Sequence, residues 1–238
     1  IIPEDWDMRA LGELGEFKNG INKGKEDFGF GLPFVNLMDV FGISKISSGS
    51  NFGFINSTEL DRKVYDLKKS DVIFVRSSVK PTGVGLTTLV SEDLPNTVYS
   101  GFLIRFRDKG ELTHEFKEYC FSSFGFRSRL IATSTVSANT NINQDALKAL
   151  FLASPKSKDE QRAIATALSD VDALLAALDA LIAKKRLIKL GTVQELLTGK
   201  RRLPKFDKNQ EYRQTKIRIF PADWKFRTIE ELAGNASN

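Results

Sequence analysis

The sequence predicts an α+β fold: a globular domain of irregular β-sheets and short helices, followed by one long α-helix that pairs as an antiparallel coiled coil. Two observations carry this prediction. Residues 1–155 are rich in Phe, Gly, Ser and Asn and break into short apolar runs separated by turns. The character then changes abruptly: residues 158–197 hold no proline and one glycine, Gly191, with apolar side chains at helical spacing.

In chain order, Asp71-Val72-Ile73-Phe74-Val75-Arg76 reads as a buried strand and residues 98–106 as another. Pro81-Thr82-Gly83 is a turn, and Leu112 to Phe124 is a helix candidate. The 18 phenylalanines read by default as core. Ser157 with Glu160 three residues later is a capping-box pattern that opens the long helix. Ile164, Leu168, Val171, Leu175, Leu178 and Ile182 follow at steps of 4, 3, 4, 3 and 4, a heptad seam. The register loosens at Lys184-Lys185-Arg186, and Thr198-Gly199-Lys200 with Pro204 supplies the stop. Forty residues of helix extend about 60 Å. A domain of roughly 155 residues is too small to bury such a helix, so the seam calls for a second long helix from another chain; the alternative is a helix lying partly on its own domain. Residues 1–155 thus form the globular domain and 156–203 the spacer helix.

Composition narrows the function. The chain has 238 residues, 41% hydrophobic and 27% charged, with no apolar run long enough to span a membrane. No secretory signal opens it, although the first residue is not Met and the start of the protein is expected upstream. The single cysteine, Cys120, fits a reducing cytoplasm and reads as a small buried residue. With one Cys and one His (His114), the usual zinc ligand sets and Cys–His nucleophile pairs are unavailable. The net charge of +5 favours a polyanionic partner.

The last segment echoes the first. Phe220-Pro221-Ala222-Asp223-Trp224 lies 218 residues after Ile2-Pro3-Glu4-Asp5-Trp6, and Arg227, Glu231 and Leu232 match Arg9, Glu13 and Leu14. The chain therefore reads as one repeat unit plus the opening of a second, residues 204–238. Three segments together resemble the DNA specificity subunit of type I restriction–modification systems. They are Pro3-x-Asp5-Trp6 with residues 11–17, Asp159-Glu160-Gln161-Arg162-Ala163-Ile164-Ala165, and Leu196-Leu197-Thr198-Gly199-Lys200-Arg201-Arg202-Leu203. Members of that family often carry two prolines just before the Glu-Gln pair, where this chain has Pro155 alone.

The resemblance implies a division of labour. Each target-recognition domain reads half of a bipartite site on double-stranded DNA, and paired helices fix the gap. Methyltransferase (modification) subunits and restriction subunits dock on the specificity subunit, which performs no chemistry and needs no cofactor. This chain carries one recognition domain plus the opening of a second, so the resemblance implies a natural half-subunit, a truncated product or a fragment; a half-subunit would pair with a second specificity half-subunit, as a homodimer or with another specificity fragment, in the cytoplasm.

Reading DNA needs cations for phosphates and hydrogen-bonding side chains for base edges, held on loops. Lys18, Asn19, Asn22, Lys23 and Lys25 share a Gly-containing loop whose spacing does not fit a P-loop. Arg76, Ser77, Ser78, Lys80 and Thr82 follow the strand ending at Val75, a region that approaches DNA in the family the chain resembles. Arg127 and Arg129, with Ser134, Thr135, Ser137, Asn139 and Asn141, form the third candidate. For each, the alternative is a solvated loop or a turn satisfying its own backbone. The basic clusters 184–186 and 200–202 face DNA, partner protein or solvent. An Asn-Pro-Pro-Tyr methyltransferase pocket, a glycine-rich cofactor loop and a nuclease-like acidic cluster are all missing from the sequence. The competing function is a coiled-coil scaffold whose globular domain binds protein.

Overall fold

In a computed structural model, which describes residues 2–136, 139–207, 211–215, 219–225 and 227–233, the chain divides into two compact units, Ile1–Asp170 and Val171–Asn238. The first unit begins with β1 (Trp6–Ala10), α1 (Leu11–Leu14), β2 (Gly15–Asn19), β3 (Phe28–Val35), β4 (Lys45–Ile46), β5 (Gly53–Ile55) and α2 (Glu59–Val64). It continues with β6 (Val72–Val75), β7 (Ser77–Ser78), β8 (Thr87–Val90), β9 (Val98–Tyr99) and β10 (Leu103–Asp108). After α3 (His114–Lys117) and α4 (Phe124–Ala132) come β11 (Thr135–Val136), β12 (Thr140–Asn141), α5 (Gln144–Ala149) and β13 (Phe151–Pro155). The long helix α6 (Lys158–Leu197) follows. The fold is the expected α+β arrangement of irregular sheets and short helices leading into one long helix.

A five-stranded sheet in the order β2-β10-β6-β8-β4 organises the unit. Its central strand β6 is the apolar run Val-Ile-Phe-Val, buried on both faces. Because side chains alternate across a strand, Val72 and Phe74 enter one cluster with Phe17, Phe106, Phe121 and Phe126. Ile73 and Val75 enter the other with Val35, Val90, Tyr99 and Leu103. In the first cluster, rings meet at centroid distances of 4.9 Å (Phe17–Phe106), 5.2 Å (Phe74–Phe121) and 5.5 Å (Phe121–Phe126), within the range where tilted aromatic pairs add to burial. Phe28, Phe30, Phe54, Phe102 and Phe124 depart from the core reading and are exposed. Cys120 is buried, and burial pushes its thiol up out of the reactive range. Arg107 makes a two-pronged contact with the buried Asp71, at 2.8 and 2.6 Å, bracing β10 against the start of β6.

Two expected elements are each two elements. Residues 98–106 form β9, which pairs with β3 in a separate sheet, and β10. The break is a turn in which Leu103 N donates to Ser100 O at 2.9 Å. The helix expected from Leu112 to Phe124 is likewise divided. Thr113 Oγ1 caps α3 by accepting from Phe116 N at 3.3 Å, and Ser123 Oγ caps α4 by accepting from Phe126 N at 3.4 Å. Thr113 opens the first short helix, and Ser123 starts a new one instead of continuing it.

The first and last strands of the domain lie side by side. β1 and β13 pair antiparallel, Trp6 opposite Pro155 and Ala10 opposite Phe151, and α6 starts from that pair. Half of the expected capping box forms: Glu160 N donates to Ser157 Oγ at 3.4 Å. The Glu160 carboxylate turns instead to Trp6, whose Nε1 donates to it at 3.0 Å. Gln161 is buried; its Oε1 accepts from Thr113 N at 2.7 Å, and its Nε2 donates to Pro155 O at 2.9 Å and Glu111 O at 3.3 Å. Lys158 Nζ donates to Gly110 O and Glu111 O. Ile164, read as the first seam residue, packs instead against the domain's own core.

In the second unit α6 ends at Gly199, whose φ of +69° is the left-handed conformation glycine tolerates. Strands β14 (Tyr212–Gln214) and β15 (Ile219–Pro221) pair antiparallel, and a short helix α7 (Ile229–Ala233) follows. The sequence echo is also a structural one. Trp6 N donates to Pro3 O and Trp224 N to Pro221 O, both at 3.1 Å, and α1 and α7 start 218 residues apart, at Leu11 and Ile229. No helix among the described residues is long and apolar enough to cross a membrane.

Gln161→Ala is expected to cost about 2–3 kcal/mol, because it strands buried backbone groups, and Trp6→Phe about 1 kcal/mol, the loss of one hydrogen bond. Urea unfolding of both variants checks the order; equal small losses would show that the helix start is held by packing alone.

Candidate nucleic-acid interface

Strands β2, β10 and β6 are neighbours and antiparallel, Ile104 facing Asn19 and Leu103 facing Val75. The exits of β2 and β6 and the entry of β10 therefore lie at one end of the sheet. Three loops leave from there: the segment after Asn19, the segment after Val75, and the Ser100–Phe102 turn.

Backbone bonds hold these loops together. Ile21 N donates to Tyr99 O and Gly101 N to Ile21 O, both at 2.8 Å. Arg76 N donates to Phe102 O at 2.8 Å, and its Nη1 donates to Gly101 O at 3.2 Å. Ile142 N donates to Arg76 O at 3.0 Å, which brings in the third candidate segment. A three-stranded sheet in the order β11-β12-β7 continues the contact, with Asn141 opposite Ser77 and Thr135 opposite Asn141. Arg127 Nη2 donates to Thr82 O at 2.8 Å across to the second segment. Residues far apart in sequence thus form one surface at the sheet end.

Not every predicted residue is available on that surface. Ser77 and Ser78 are buried in their strand, and Ser78 Oγ accepts from Lys80 N at 3.2 Å. Lys23 is paired with Asp61 at 3.1 Å; hydrogen bonds from the Thr58 backbone and from Lys23 hold that carboxyl below its usual range, against burial. Arg129 lies two residues from Arg127 on α4, so it points to another face. There its Nη2 donates to Phe151 O at 3.0 Å and it borders an apolar groove beside Trp6 and Met8.

Asn22, Lys25, Lys80, Thr82, Thr135 and Asn139 are exposed. Lys18 is exposed too, its Nζ 5.7 Å from the centre of the Tyr65 ring. Asn19, Arg76, Arg127, Ser134 and Asn141 are half-buried. Ser134 Oγ donates to Ile131 O at 2.6 Å, Thr135 Oγ1 to Asn141 O at 3.4 Å and Asn141 Nδ2 to Asn139 O at 2.9 Å. Ser137 lies outside the described residues.

Sequence reasoning missed Gly101 and Phe102, placing them inside a strand. Phe102 stands 56% exposed at the centre of the converging loops. The Ser100-Gly101 dipeptide was the available signal. The seam residues Val171, Leu175, Leu178 and Ile182 are 53, 55, 46 and 48% exposed, a run of large apolar side chains. Among the described residues, no cluster of three His, Cys, Asp or Glu could hold a metal.

Comparison with known proteins gives a consistent picture. Residues 3–185 match the type I restriction modification DNA specificity domain. Over 230 residues the chain is 25% identical to a protein of Methanocaldococcus jannaschii named as a type I restriction enzyme MjaX specificity subunit, covering 94% of this chain and 51% of that one. The fold is similar to the type I restriction–modification S subunit of M. genitalium, with a TM-score of 0.51 and 20% identity over 80% of this chain and 45% of that one. It is also similar to the HsdS subunit of Thermoanaerobacter tengcongensis, with a TM-score of 0.54 and 20% identity over 76% and 40% of the two chains. The chain spans about half the length of these relatives.

A Cβ on Gly101 would sit 1.9 Å from Asn22 Oδ1. Gly101→Ala is expected to change stability by less than about 0.5 kcal/mol, since an exposed side chain can move aside, and to shift the side-chain amide resonances of Asn22. Unshifted resonances would show that the turn and the first loop are not in contact.

Proposed function

The chain belongs to the type I restriction–modification DNA specificity family, and from that premise we propose that it is a half-subunit reading one half of a bipartite site on double-stranded DNA. The convergence of three polar loops at one end of the central sheet carries the reading. Residues 1–155 serve as the target-recognition domain, 156–203 as the spacer helix and 204–238 as the start of a second repeat.

Arg76, Arg127, Asn22, Thr82, Asn139 and Asn141 have the donors and acceptors suited to base edges, and Lys18, Lys25 and Lys80 suit phosphates. The exposed seam Val171–Ile182 takes a second copy as an antiparallel helix pair, which restores two recognition domains. Methyltransferase subunits dock on that pair and restriction subunits join them, in the cytoplasm. The chain itself contributes recognition and no chemistry, and needs no cofactor.

The test is co-expression with the cognate modification subunit in a host lacking adenine methylation, followed by mapping of methylated adenines. A bipartite motif with inverted-repeat halves is expected; unlike halves would mean that another specificity fragment supplies the second domain, and no methylation by a soluble complex would sink the proposal. In binding assays on that complex, Lys80→Ala is expected to lower the salt dependence of affinity by about one unit of slope across all sequences. Arg76→Ala should relax discrimination at one base pair by about 1–3 kcal/mol. Binding indifferent to salt would favour the protein-binding scaffold instead.

A further inference from the structure

The turn between β9 and β10 carries a phenylalanine outward from a backbone that is bonded at each residue. Ser100 N donates to Val35 O at 2.9 Å, and Gly101 N donates to Ile21 O at 2.8 Å. Phe102 N donates to Ser100 Oγ at 3.3 Å, and Phe102 O accepts from Arg76 N at 2.8 Å. Leu103 N donates back to Ser100 O at 2.9 Å, and Leu103 O accepts from Gly20 N at 3.1 Å. Ser100 and Leu103 are themselves buried, so the main chain around Phe102 is fixed while its ring faces water. An aromatic side chain held on such a turn loses little freedom when something covers it.

The neighbours of that ring are polar. Arg76 Nη1 donates to Gly101 O at 3.2 Å, and the Asn22 side-chain amide lies against Gly101. Both side chains suit base edges. Phe102 is 56% exposed, against 88% for Phe124. Nearly half of its surface is therefore covered by the turn and its neighbours, and the ring stands level with them instead of projecting past them. A ring that unstacks a base step has to project; a level ring meets base edges. In the major groove, adenine, guanine and cytosine present donors and acceptors there, and thymine alone adds an apolar group, its 5-methyl.

We infer that Phe102 is a specificity-determining residue that reads the 5-methyl group of a thymine, beside the bases whose edges Arg76 and Asn22 contact. This rests on the reading of DNA proposed above and names one contact within it. Closing the ring over a methyl removes apolar surface from water on both partners, and the surrounding hydrogen-bonding groups keep water out of the contact. A cytosine in the same place would press its amino donor against the ring and leave it unpaired. The ring thus selects T·A over C·G at one position without a hydrogen bond of its own.

The test is a titration of DNA duplexes with the complex of this chain and its cognate modification subunits, on the site that the methylation map defines. Each thymine of the site is replaced in turn by deoxyuridine, which lacks only the 5-methyl. One replacement is expected to weaken wild-type binding about fivefold, the effect of one buried methyl. Phe102→Ala should weaken binding to the unsubstituted site by at least that factor, become indifferent to that replacement, and keep the wild-type unfolding midpoint. Phe102→Leu, still apolar, should retain part of the sensitivity. Wild-type binding indifferent to every deoxyuridine would overturn the methyl contact; a loss in Phe102→Ala alongside that indifference would show a ring acting between base steps instead. Phe102→Ala binding that stays sensitive to the same deoxyuridine would overturn the assignment to Phe102. Each of these results, with binding still specific for the site, leaves the half-subunit reading intact, whereas a complex that binds all sequences alike would overturn both.

Discussion

Two adjacent side chains at the start of α6 hold the first unit together. Glu160 reaches to Trp6 on β1, while Gln161 satisfies backbone groups at Pro155, Glu111 and Thr113. The first strand, the last strand, the turn after β10 and the long helix are fixed at one place. A buried amide with three partners tolerates little movement, because any partner lost leaves a polar group dry. The direction in which α6 starts is therefore set by hydrogen-bond geometry as well as by apolar contact.

The opposite requirement holds at the sheet end. There the rigid parts are the strand termini of β2, β6 and β10, and the variable parts are the side chains they carry outward. Backbone-to-backbone bonds join the three loops, and the Arg76 and Arg127 side chains add bonds to Gly101 O and Thr82 O. Apart from those two arginines, the polar side chains of such a surface can vary without changing how it folds.

Much of this was legible in sequence where the signal is local. The heptad steps, the absence of proline and the Thr198-Gly199 stop locate α6 to within a few residues at each end, since helix periodicity and capping act within a few positions. The break at Ser100 was hidden by apolar residues on both sides that continue the strand pattern across two sheets. Thr113 and Ser123 read as ordinary helix residues although each caps a new helix. The candidate interface was found by residue type, and type alone does not separate Arg127 from Arg129, which α4 sends to different faces. Nor does it reveal that Lys23 is paired with Asp61, 38 positions away, or that Ser77 and Ser78 are taken up in a strand. Long-range partners decide availability, and local sequence does not report them.

The pairing of β1 with β13 has an evolutionary consequence. The chain enters and leaves the globular domain through neighbouring strands of one ladder, so everything between Leu11 and Leu150 is a cassette with both ends at a single doorway. A segment exchanged at those strands would keep the Trp6–Glu160 half of the helix anchor, whereas the backbone groups at Glu111 and Thr113 that Gln161 satisfies would have to be matched by the incoming sequence.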